Sequence, residues 1–166
     1  MGDKNKSTPN DQDLRRLAEA LIREQSTMTL ATAAGDHAWA APVYYAFLKS
    51  CFYFFSDPTA RHIREALDSG QASSTIYARA DTWQGIRGIQ MSGSVETVSP
   101  GLQAFEVIRS YLKKFSFTKE FFDQGQSMDL AAFTKRFKVK LYRFRPTLVY
   151  YLDNDIRFGF REKVKV

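Results

Sequence analysis

The nine residues Phe54-Phe55-Ser56-Asp57-Pro58-Thr59-Ala60-Arg61-His62 carry more chemistry than any other stretch of this chain. An almost entirely aromatic run, Cys51 to Phe55, reads as a strand that ends at Ser56, and a helix is expected within a few residues. The first amides of a helix have no intrahelical acceptor. With a hydroxyl and a guanidinium beside them, they suit a phosphate group. The competing reading is an ordinary strand-to-helix corner capped by Asp57, whose carboxylate would compete with an anion for the same donors.

Other chemistries find little support. Cys51 lies inside the aromatic run and reads as a small buried hydrophobe rather than a nucleophile. His37 follows a turn and reads as exposed. One cysteine and two histidines exclude a disulfide framework, a multi-thiolate metal site and a histidine-rich metal centre. The chain has no G-x-S-x-G elbow, H-E-x-x-H pair, P-loop or G-x-G-x-x-G after a strand. Nor do its scattered acids single out a pair for glycoside hydrolysis.

The net charge of +6, from 24 Lys and Arg against 18 Asp and Glu, favours anionic ligands without naming one. Part of the excess clusters at Lys135, Arg136, Lys138, Lys140, Arg143 and Arg145. Phe137, Tyr142 and Phe144 interleave with these charges. On a strand they would not all share a face with them, so nucleic acid is not the expected partner. No apolar run approaches the ~20 residues of a membrane span, and Met1 to Asp13 lacks the apolar centre of a secretory signal. The expectation is a cytoplasmic protein: a disordered arm over 1–12 and a single domain over 13–166.

The elements that must position the corner follow from periodicity. Leu14, Leu17, Ala18, Leu21 and Ile22 mark a helix to about Glu24, with Asp13 as its cap. From Met28 the period becomes two. A strand to Ala33, a turn at Gly35-Asp36 and a strand from His37 to Ala46 follow, the last with Trp39, Ala41, Val43 and Tyr45 on one face. With Cys51–Ser56 these form an expected antiparallel meander. A short helix opens with Pro58 in its first turn, carries Ile63, Ala66 and Leu67 inward, and ends at Ser69-Gly70. Strands are expected over Ala72–Arg79 and Ile86–Val98. A helix capped at Ser99-Pro100 follows, with a stripe of Leu102, Phe105, Ile108, Leu112 and Phe115. Helical pieces are expected around Phe121-Phe122 and over Asp129–Lys135, then a strand pair, Phe137–Arg145 and Thr147–Leu152. The fold class is therefore mainly β: an antiparallel barrel of six or seven strands with peripheral α-helices.

Three segments, in order, resemble the FMN-binding split-barrel superfamily typified by pyridoxamine 5'-phosphate oxidase. They are Thr29–Thr32 with Ala40–Tyr45, then Tyr53-Phe54-Phe55-Ser56-Asp57 with Arg61-His62, and Ile86-Arg87-Gly88-Ile89-Gln90-Met91-Ser92-Gly93. With Phe144-x-Pro146 and Leu152-Asp153-Asn154 the likeness covers about 14 to 160, and it is nearest to a short bacterial branch, the YhbP-like proteins. The resemblance implies an FMN cofactor whose phosphate is held by Ser56, Arg61 and His62, with Phe55 in the same corner. It implies Tyr44 and Tyr45 along the ribityl chain or ring, Gln90 near the polar edge of the isoalloxazine and Trp83 beside the ring. It also implies a homodimer with the flavin site at the subunit interface. Composition agrees with a dimer, since 14% aromatic residues is much apolar surface for one small core. His62 stands where the oxidase commonly has Lys and Gly88 where it usually has Gln, and the oxidase's C-terminal Arg-Leu-x-Pro element has no counterpart. The implied function is an FMN-binding oxidoreductase, with flavin-mediated hydride or electron transfer on an unidentified small molecule. The alternative is a non-catalytic flavin or heme carrier, for which His37 and His62 are the only histidines.

Overall fold

The computed structural model describes residues 8–115, 134, 135 and 137–166. Helix α1 (Asp11–Glu24) packs Leu14, Ala18, Leu21 and Ile22 inward, as their spacing dictates. Its cap is Asn10 rather than Asp13: the Asn10 side chain accepts from the Asp13 amide at 2.9 Å. The helix thus takes in two residues of the expected arm. Strands β1 (Thr27–Ala34) and β2 (His37–Tyr44) form the expected hairpin around Gly35-Asp36.

Beyond that hairpin the meander gives way to a different path. Tyr45 interrupts pairing, its amide donating to the Ser26 carbonyl, and β3 (Ala46–Leu48) turns back into β4 (Cys51–Ser56). Strand β4 pairs with β3 and with β7 (Lys140–Asp153), not with β2. With β5 (Ala72–Tyr77) and β6 (Arg87–Thr97) the order is β2-β1-β5-β6-β7-β4-β3, and short β8 (Arg161–Lys163) pairs with β7. Every pairing is antiparallel. The two end strands of this path are consecutive in the chain, joined through Tyr45, so the sheet must curl on itself. The architecture is mainly β, a split barrel with helices packed on it.

Phe52 and Phe54 of β4 point into the barrel core with Leu30, Ile89, Phe144 and Tyr151. Cys51 and Tyr53 point the other way, against Ala104 and Val107 of α3 (Leu102–Lys114). That second layer is why the strand is apolar on both faces. The face that α3 buries is Ala104, Val107, Ile108 and Tyr111, continued by Phe115. Leu102 and Phe105 instead point to solvent, 87% and 56% exposed. Two interleaved stripes fit this sequence at helical spacing, and the one containing small Ala104 allows closer approach to β4. The start of α3 differs too: Gly101, not Ser99-Pro100, is its N-cap residue.

Pro146 does not separate two strands. Strand β7 runs on through it, because the register shifts between Ser92 and Gly93 of β6 and sets Gly93 opposite Pro146. Correspondingly, Lys135 and Phe137 are helical, Lys138 lies in a turn and the strand begins at Lys140, so the described residues of the basic stretch do not form one strand. The helical pieces expected at Phe121-Phe122 and over most of Asp129–Lys135 lie outside the described residues. Among the described residues no helix is long and apolar enough to cross a membrane.

Candidate functional site

Strand β4 delivers Phe55 and Ser56, both half-buried, to the rim of the barrel. Asp57 then makes a tight turn: its Oδ1 accepts from the amide and the hydroxyl of Thr59, each at 2.7 Å, and its carbonyl accepts from the Ala60 amide. The Thr59 hydroxyl and amide hold the Asp57 carboxyl below its usual range. Asp57 is therefore a clamp on the turn and not the helix cap. Helix α2 (Arg61–Ser69) begins three residues later than Pro58, with Ala60 as N-cap residue, no side-chain cap and no acid in its first turn. The Ile63 and Arg64 amides return to the Ala60 carbonyl. The Arg61 and His62 amides make no hydrogen bond among the described residues. At the other end, Ser69-Gly70 stops the helix as expected, with Gly70 at a φ of 69°.

Two groups of side chains surround this start, His62 with Ser56, and Arg61 with Glu65, Thr32 and Trp39. His62 is buried, with Nε2 2.9 Å from the Ser56 hydroxyl. Burial pushes its pKa down, against the smaller opposing pull of the Glu65 charge, so the ring is neutral at pH 7. Arg61 donates from Nε to Glu65 Oε1 at 2.5 Å, one turn along α2, and lies 4.9 Å from the centre of the Trp39 ring. Glu65 Oε2 accepts from Thr32 Oγ1 at 2.6 Å. The Thr32 and Arg61 hydrogen bonds hold the Glu65 carboxyl below its ordinary value. One of Arg61's five N–H donors is thereby used; its terminal nitrogens make no hydrogen bond among the described residues.

Trp39, Thr32 and Glu65 were absent from the sequence reading of the site. The Arg61–Glu65 spacing of four on a helix was the available signal for one of them. Trp39 keeps the face its alternation predicts, since it pairs with inward-facing Thr32, but it stands at the rim, 46% exposed, where α2 rather than the core meets it.

The remaining expected site residues are dispersed. Tyr45 is fully buried, its hydroxyl donating to the Ile22 carbonyl at 2.6 Å, and burial drives its pKa far up. In this arrangement its side chain offers no surface to a ligand. Tyr44 is 49% exposed on the outer face of the sheet, edge-on to Phe115. Gln90 is exposed on the outer face of β6, flanked by Thr75 and Tyr150. Trp83 sits in the loop between β5 and β6, edge-on to Phe158, with its carbonyl accepting from Asn154 Nδ2 at 2.8 Å. Phe55 lies edge-on to Tyr111. Within one chain Ser56 meets His62, while Arg61, next to His62 in the chain, turns its side chain to Glu65 and Trp39, and neither Gln90 nor Trp83 shares a hydrogen bond or ring contact with these three among the described residues. Of the two histidines, His37 opens β2 in an exposed position.

No family model matches the chain. A UPF0306 protein from Yersinia pseudotuberculosis serotype O:3 (strain YPIII) is 26% identical over 113 residues, 66% of this chain and 76% of that protein. A heme-binding protein from Mycobacterium smegmatis superposes with a TM-score of 0.68 at 18% identity, over 95% of this chain and 59% of that one, so the chain spans little more than half of that neighbour. An FAD-binding protein from Mesorhizobium loti gives 0.58 at 18% identity, covering 81% and 90%. HutZ, the heme storage protein of Vibrio cholerae, gives 0.62 at 16%, covering 80% and 89%. What this chain shares with the three solved structures is the split-barrel fold.

Proposed function

We propose that the chain binds FMN, with the phosphate at the start of α2, and that it serves as an oxidoreductase acting on a small molecule. The observation that carries this reading is the uncapped start of α2. Two unspent amides and the Ser56 hydroxyl stand there beside Arg61, whose terminal nitrogens are free among the described residues, while the neighbouring Asp57 and Glu65 carboxylates are engaged by Thr59 and by Thr32 with Arg61. Such a donor set fits a phosphate dianion. Neutral His62 stands behind Ser56; in the tautomer that carries its proton on Nε2 it would donate to the Ser56 oxygen and leave the hydroxyl proton for the phosphate. Glu65, fixed by Thr32, aims Arg61 and supports its stacking on Trp39. A bound flavin would supply hydride or electron transfer.

The reading includes a homodimer. The outer face of the sheet is lined by small side chains, among them Ala31, Ala38, Ala40 and Ser73, and is edged by exposed Tyr44 and Tyr77. A face of small side chains lets a second copy approach closely. A partner there would bring its own Tyr44 and Gln90 toward the corner, which one chain alone does not do.

The test is a titration of wild type and Arg61→Ala with FMN and with riboflavin, which lacks the phosphate. Because the guanidinium is 39% exposed, the lost contact is worth about 1–2 kcal/mol, roughly five- to thirtyfold in FMN affinity. Riboflavin affinity should stay within about twofold by the same argument. Equal binding of the two flavins by wild type would remove the phosphate site.

A further inference from the structure

A cavity of about 800 Å³ lies between the start of α3 and the start of β7. Its wall is mostly apolar, formed by Val98, Phe105, Ile108 and Leu141 among others. This accounts for Phe105, which α3 leaves half in solvent. The same cavity is bordered by Lys135, Lys138 and Lys140, and among the described residues no carboxylate lines it. None of the three lysines forms an ion pair among the described residues. Asp57, which feels the charge of Lys138, is engaged by Thr59 and does not line the cavity.

The backbone at Lys138 adds an independent observation. Its φ is +53°, a left-handed conformation that costs glycine nothing and strains a residue with a Cβ. It closes the helical turn before β7, where the Val139 amide donates to the Thr134 carbonyl at 3.1 Å. Glycine is the residue this position favours on backbone grounds, and the chain instead carries an amine at the mouth of an apolar cavity.

We propose that this cavity binds an aliphatic carboxylate, its hydrocarbon along the Val98–Phe105–Ile108–Leu141 wall and its head group on the lysine rim. An apolar wall removes the chain from water, and a rim whose charges among the described residues are all cationic selects a negative head over a neutral or positive one. Ser56, Arg61 and His62 do not line the cavity, so the proposal does not rest on the flavin reading.

The experiment uses the whole chain and titrates decanoate, decanol and decylammonium by displacement of a fluorescent apolar sulfonate, below the micellar concentration of each probe. Decanoate should displace the dye about tenfold more effectively than decanol, and decylammonium least, given the charges on the rim. Lys138→Gly should weaken decanoate about fivefold and leave decanol unchanged. Because glycine relieves the left-handed strain, that variant should melt no lower than wild type, so loss of binding cannot be loss of fold. Phe105→Glu, at an exposed position, should weaken both decanoate and decanol. Equal affinity for decanoate and decanol, or a Lys138→Gly variant that binds decanoate like wild type, would overturn the proposal.

Discussion

Gly93→Ala should be among the most damaging single-methyl additions this chain can suffer. A Cβ built at Gly93 falls 2.1 Å from the Arg145 carbonyl oxygen, 2.8 Å from its carbon and 2.9 Å from the Pro146 Cα. The nearest of these is about 1 Å or more inside contact distance. All three atoms are backbone, so no rotamer change relieves the overlap; β6 and β7 must move apart. They would part where the register already shifts between Ser92 and Gly93, and where Pro146 has a fixed φ and no N–H to offer. Overpacking costs about 1–3 kcal/mol where side chains can adjust, and a backbone clash belongs at or above the upper end, about 3 kcal/mol. For a chain of this size that is a fall of roughly 6–12 °C in melting temperature. Gly88→Ala is the control. Its Cβ would meet one carbonyl, that of Ile76, at 2.9 Å, which a shift of a few tenths of an ångström relieves, at a cost of about 1 kcal/mol. Urea denaturation followed by circular dichroism gives both values under identical conditions. If Gly93→Ala proves no less stable than Gly88→Ala, the close β6–β7 approach is wrong.

Two further expectations concern pH. Burial lowers the His62 pKa below its ordinary 6.5, so the unfolded chain binds the proton more readily. The contribution of the neutral ring is complete above pH 6.5 and is lost as pH falls toward the lowered value. Wild type should lose urea resistance between pH 6.5 and 5 more steeply than His62→Gln; parallel profiles would contradict the buried neutral histidine. Lys114 donates to the Gln25 carbonyl at 2.6 Å, with its ammonium 3.9 Å from the centre of the Tyr45 ring, and burial lowers its pKa from 10.5 to about 8. The sign is the same: stability should rise as pH climbs from about 8 toward 10.5, and Lys114→Met should abolish that rise.

Local pattern made some of this legible and distance along the chain hid the rest. The buried stripe of α1 and the two-faced burial of β4 follow from spacing and composition within a few residues. The strand-to-helix corner at Ser56 was visible for the same reason. Its cap was not, because Asp57 has a side chain suited either to capping or to clamping a turn, and the choice depends on where the helix starts. Pro146 read as a break since its partner Gly93 is far away in sequence. Periodicity could not choose between the two stripes of α3, because the choice lay in the space above Tyr53 and Leu141. Trp39 and Arg61 meet only because α2 packs back over the first hairpin.

That packing also bears on how the corner would hold the proposed phosphate. An arginine at the start of a helix would ordinarily swing free, and an uncapped helix start would ordinarily fray. Here Glu65 is held by Thr32 of β1, Arg61 is held by Glu65 and rests against Trp39 of β2, and His62 is held by Ser56 of β4. Three strands thus anchor the first turn of α2 through side chains, while its first two amides stay unspent. A helix fixed from below needs no cap from above. What the fold leaves open at that point is a rigid set of donors, and rigidity established before a ligand arrives reduces the ordering cost of binding.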